Sequence, residues 1–164
     1  MKKETFVLKI GFTLIELLVV ILIVGILAAV ALPQYQVAVA KSRAMQGVVL
    51  ANAVLKAERL YYLEHGEYSS NLESLTIEIP GGGKVEAEGK KATYDEFVYW
   101  IATNTWTIYI SSKHNHVPSI VVDLKPGTYT CRADKEDILA QKVCSLISKP
   151  GRYLHNEEIY VYTM

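Results

Sequence analysis

Residues 17 to 32 are apolar or glycine without exception, and no other stretch of the chain is like this. Extended back to Phe12, the segment counts 21 residues up to Leu32. At about 1.5 Å of helical rise per residue, such a length matches a hydrocarbon core of about 30 Å. Lys2, Lys3 and Lys9 precede it against a single acid, Glu4, which is the flank expected on the cytoplasmic side of a membrane helix. A conventional secretory signal would place a small-residue cleavage site after its apolar core, and Ala28, Ala29 and Ala31 offer one. The spanning length speaks against that reading, because signal cores are shorter.

The rest of the chain reads as an ordinary water-facing domain. At 164 residues there is room for one such domain, and 51% hydrophobic residues can fill a modest core. The 17 basic and 17 acidic residues cancel, so composition gives no argument for a nucleic-acid partner or a cationic one. Cys131 and Cys144 lie close in sequence, as one short-loop disulfide requires, and their state depends on compartment; an exported domain would close the pair. Their spacing is not by itself a metal signature.

Glu16 is the anomaly inside the apolar segment, since a carboxylate in a bilayer interior is costly. On the residues alone two readings stay open. Either Glu16 lies one turn inside the interface and snorkels to it or stays protonated, or a partner compensates it.

The run Lys9-Ile10-Gly11-Phe12-Thr13-Leu14-Ile15-Glu16-Leu17-Leu18 closely resembles the type III signal of type IV pilins and pseudopilins, and the likeness continues through Gly25 to Pro33. The resemblance implies that a membrane aspartyl peptidase cuts after Gly11 and that the same enzyme methylates the new N-terminus at Phe12. Glu16 then becomes the fifth residue of the mature protein, where that family keeps its membrane glutamate. A free amine at Phe12 is cationic near neutral pH, and pairing with Glu16 would remove two buried-charge penalties together. If the amine belongs to an adjacent subunit, the pair also fixes the axial register of otherwise greasy helices.

Beyond Pro33 the apolar positions become periodic, with Val37, Ala40, Ala44, Val48, Ala51, Leu55 and Tyr62 on one helical face. Lys41, Arg43, Lys56, Glu58 and Arg59 are assigned to the remaining, solvated surface. The helix is expected to stop near Gly66 and to bend or melt locally between Gly25 and Pro33. The sequence Tyr61-Tyr62-Leu63-Glu64-His65-Gly66-Glu67-Tyr68, followed by Leu72 and Leu75, resembles the helix-to-loop transition of many pilins. Gly81, Gly82, Gly83 and Lys84 form a turn rather than a phosphate loop, because no Ser or Thr follows the lysine.

Strands are expected over 94–102, 105–111, 120–124 and 128–131, with turns at Thr103-Asn104 and Pro126-Gly127, giving an antiparallel meander. Asp134 to Asp137 before Ile138 reads as a helix start. The expected fold is therefore α+β: a long N-terminal helix on an antiparallel sheet, with a C-terminal disulfide-bounded region. Its divisions are a leader at 1–11, a membrane and assembly helix at 12–33, an amphipathic half-helix at 34–66 and a head at 67–164. The resemblance implies that a cysteine-bounded C-terminal loop marks pilins, whereas the major pseudopilins of type II secretion usually lack it and bind calcium.

Asp123, Asp134, Glu136 and Asp137 match no calcium loop, so a solvated acidic face is expected and no cofactor or metal. His114-Asn115-His116 reads as a polar loop beside Pro118, and His65 and His155 have no partners nearby in sequence. No residue stands in a nucleophile motif, which leaves no case for an enzyme. The implied function is a filament subunit, with a type II secretion pseudopilin as the alternative. Implied partners are further copies of the chain, a prepilin peptidase and methyltransferase, and an inner-membrane assembly platform. The chain would sit in the inner membrane as a single pass before entering an extracellular pilus. A singly anchored binding protein that never polymerises would not need Gly11-Phe12.

Overall fold

The computed structural model describes residues 11–75, 84–86, 89–94, 96–125, 127–148 and 159–163. Residues 1–10 of the expected leader 1–11, the glycines 81–83, Pro126 and His155 lie outside the described residues. The chain divides into two units, Met1–Gln36 and Val37–Met164.

Helix α1, Leu14–His65, is 52 residues long and passes through Gly25 and Pro33 without interruption. In the first unit its side chains are exposed almost throughout, and its most apolar 18-residue window has a mean hydropathy of 3.1. That stretch is long and apolar enough to cross a membrane.

In the second unit the helix turns one stripe inward: Ala40, Ala44, Gly47, Leu50, Ala51, Val54, Leu55, Ala57 and Glu58 are buried. Small residues let the sheet approach. A Cβ added at Gly47 would lie 3.4 Å from Phe97 Cε1 and 3.5 Å from Ile120 Cγ1. Two expectations are corrected here. Tyr62 is 44% exposed rather than on the buried face, because the stripe drifts through Glu58 to Tyr61. Glu58, expected among the solvated charges, is fully buried, because it follows Val54 and Leu55 by one helical turn on the same stripe. The helix ends as expected at Gly66, whose φ of 79° closes an N–H bond to the Tyr62 carbonyl at 2.8 Å.

Among the described residues seven strands pair antiparallel in strict chain order. They are β1 Lys84–Val85, β2 Lys91–Tyr94, β3 Phe97–Ala102, β4 Thr107–Ser112, β5 Ser119–Asp123, β6 Thr128–Asp134 and β7 Ile159–Thr163. The pleat of β3 sends Phe97, Tyr99 and Ile101 inward, and Ile108, Ile110, Ile120, Val122 and Cys131 join them in one core with Leu50, Ala51, Val54, Leu55 and Ala57 of α1, while Ala40 and Ala44 pack with Val143 in a second cluster. The expected strand at 94–102 is two strands, with Tyr94 of one paired with Phe97 of the other. Residues 105 and 106 belong to the β3–β4 turn rather than to a strand, with Trp106 at a φ of 53° and its carbonyl accepting from the Leu124 N–H at 3.0 Å.

Helix α2, Ile138–Ile147, starts at Asp137, whose side chain accepts from the Ala140 N–H at 2.9 Å. It buries Ala140, Val143 and Cys144. Cys144 is bonded to Cys131 on β6, with 5.6 Å between the Cα atoms, so the disulfide ties α2 to the sheet.

Candidate functional site

The start of α1 is built by two side chains. Thr13 stands just before the first helical residue, and Glu16 is the third residue inside the helix. The Thr13 N–H donates to Glu16 Oε2 at 2.8 Å, and the Thr13 hydroxyl donates to the same oxygen at 2.7 Å. The Glu16 N–H returns a bond to Thr13 Oγ1 at 3.3 Å. This is a reciprocal capping box, which satisfies amide donors that a helix start leaves open and places a negative group at the positive end of the dipole.

Sequence reasoning missed this arrangement, although Thr-x-x-Glu ahead of an apolar run is its signature. The result changes the status of Glu16. Its carboxylate is hydrogen-bonded within its own chain by Thr13, a neutral partner that orients it without cancelling its charge. Both partners lie downstream of the Gly11–Phe12 bond, so a cut there would leave the cap intact. Phe12 is 72% exposed, and with Ile15, Glu16, Val19 and Val20 it lines a shallow open groove.

The other residues singled out in the sequence fall into local structural roles. Asp123 accepts from the Thr107 hydroxyl at 3.1 Å, and Asp134 accepts from the Glu136 N–H at 3.0 Å. His114 pairs with Glu96 at 2.9 Å, and Arg43 reaches the other oxygen of Glu96 at 3.5 Å. His116 lies 3.1 Å from Asp137. Burial raises the pKa of Asp137, but the Ala140 N–H and His116 outweigh it and leave the carboxyl below its usual range. Among the described residues no three His, Cys, Asp or Glu side chains converge as a metal site.

Residues 9–32 match the family model described as the prokaryotic N-terminal methylation motif. A fimbrial protein of Neisseria meningitidis is 55% identical over 67 residues, covering 41% of this chain and 39% of the relative. In its N-terminal segment the chain is similar to type IV pilins. Two further pilins agree with this. The type IV major pilin PilE1 of Neisseria gonorrhoeae is 49% identical over 70 residues, covering 43% of this chain and 42% of that pilin. The type IV major fimbrial protein FimA of Dichelobacter nodosus is 51% identical over 57 residues, covering 35% of each. The chain thus spans about two fifths of the length of the first two pilins, 39% and 42%. No solved structure matches the chain.

Proposed function

We propose that this chain is a structural subunit of a type IV pilus-like extracellular filament, cut after Gly11, N-methylated at Phe12 and assembled through the first part of α1. The observation that carries the reading is an exposed apolar helix that begins at Leu14, within the methylation motif matched at residues 9–32. A surface of that kind is stable only in lipid or against copies of itself.

Residues 1–11 are then the leader, 12–33 the membrane and assembly helix, 34–66 the half-helix that carries the head, and 67–164 the head. Glu16 meets the Phe12 amine of an adjacent subunit in the filament. Its carboxylate already accepts two bonds from Thr13 at one oxygen, so the amine would join an oriented acceptor. Gly25 and Pro33 give the segment its pliability, since glycine is a weak helix former and proline lacks an N–H. The bend is a property of the packed fibre. The partners are further copies of the chain, a prepilin peptidase and methyltransferase, and an inner-membrane platform. No catalytic residue or cofactor is assigned.

The cysteine pair and the naming of the relatives as major pilins favour this reading over a type II secretion pseudopilin. Shearing filaments from the cell surface and identifying their protein by mass spectrometry tests it. The expected result is this chain as a fibre component with Phe12 at its N-terminus. Surface fibres that lack the chain, in cells that contain it, would refute the proposal.

A further inference from the structure

Glu58 is fully excluded from solvent on the stripe of α1 that the sheet covers. Its Oε2 accepts from the Ser69 N–H at 3.0 Å. Its Oε1 has no hydrogen-bond partner among the described residues. Ser69 opens a self-bonded segment. Its hydroxyl donates to the Asn71 carbonyl at 2.6 Å, the Asn71 N–H donates back to Ser69 Oγ at 3.0 Å, and the Ser74 hydroxyl donates to the Asn71 carbonyl at 2.7 Å. Leu72 and Leu75 anchor the segment in the core. The carboxyl of Glu58 thus bonds from the main helix to this segment, which the Leu72 N–H also ties to the Gly89 carbonyl at 2.7 Å.

We propose that Glu58 is a proton-operated latch: as the carboxylic acid it holds segment 69–75 closed over α1, and on releasing its proton to water it draws solvent into this corner and loosens that segment. The unbonded Oε1 is tolerable on a neutral carboxyl. On a carboxylate it demands solvation that only water can supply here.

Burial drives the pKa of Glu58 up to about 7, against a smaller lowering by the Ser69 N–H. Other titratable groups around it do not contribute. On α1, Lys56 and Arg59 are exposed, and on the segment itself so are Glu67 and Glu73. From the sheet, Tyr99 is buried with its phenol pushed up to about 12 by burial, and Asp123 is bonded to Thr107. Tyr68 donates to the Leu124 carbonyl, and Tyr129 donates to Asn52. The latch does not depend on the proposed filament role.

The test is amide hydrogen exchange of the full-length chain in detergent micelles, corrected for the intrinsic pH dependence of exchange, in wild type and Glu58→Gln. Between pH 6 and 8, protection of peptides covering 69–75 should fall about tenfold in wild type and stay level in the variant. Carbon-13 NMR of the Glu58 carboxyl gives a reading independent of any variant, with a midpoint expected near 7. A midpoint below about 5, flat protection in wild type, or an equal fall in Glu58→Gln overturns the latch.

Discussion

Replacing Cys131 and Cys144 together with alanine should lower the melting temperature of the head by roughly 10 °C, on a stability loss of about 3 kcal/mol. The magnitude follows from the loop that the bond closes. The two cysteines are 13 residues apart, and the chain-entropy expression for a loop of that length gives about 3 kcal/mol near room temperature. Both cysteines are 0% exposed, so lost packing adds to the entropic term rather than offsetting it. Circular dichroism melts of full-length wild type and variant in the same detergent measure the shift. Thiol labelling checks the premise: without reductant neither cysteine should label. With reductant, labelling should proceed at the rate of unfolding, because both sulfurs are sealed between β6 and α2. A variant melting within about 2 °C of wild type, or thiols that label freely in native protein, would refute the reasoning.

Substituting Gly11 with a bulky residue should leave uncut precursor, seen as retained leader mass by N-terminal mass spectrometry; mature protein starting at Phe12 from such a variant would contradict the assigned cut. Glu16→Gln keeps an acceptor for the Thr13 cap and removes the charge, so processed protein should reach wild-type levels by immunoblot while fibres nearly vanish by electron microscopy. Thr13→Val removes the hydroxyl and keeps the charge, and should weaken the cap while still giving fibres. Gly47→Leu should destabilise the head by about 1–3 kcal/mol in chemical denaturation, because Phe97, Ile110 and Ile120 leave no room for the side chain. Glu58 has a folded pKa of about 7, raised above its ordinary value near 4.5. Its contribution therefore declines as pH rises from about 4.5 through 7, by at most about 3 kcal/mol, and Glu58→Gln should flatten that part of the stability curve.

The apolar run, the helical stripe from Ala40 to Leu55 and the central strands were legible because each is a repeat of simple period read over many residues. Glu58 was misplaced because a charged residue type outweighed its position, although it continues the 51, 54, 55 spacing. The β2–β3 turn was invisible because neither glycine nor proline marks it, and β2 buries only a single small residue, Ala92, at its described inward positions. Ile159 to Thr163 is dense in strand formers, and β7 could have been read from it. The capping box was readable too, but the apolar context drew the reading of Glu16 towards distant partners and away from a neighbour three residues back.

Because every strand neighbours the one before it, the sheet can be laid down in the order in which the chain is made. The part of α1 in the second unit is available first, and each hairpin adds beside a strand already present, so no late segment must thread between earlier ones. The cysteines fit the same schedule. Their bond joins β6 to the helix that directly follows it, so oxidation can seal that corner before β7 is added at the sheet's edge.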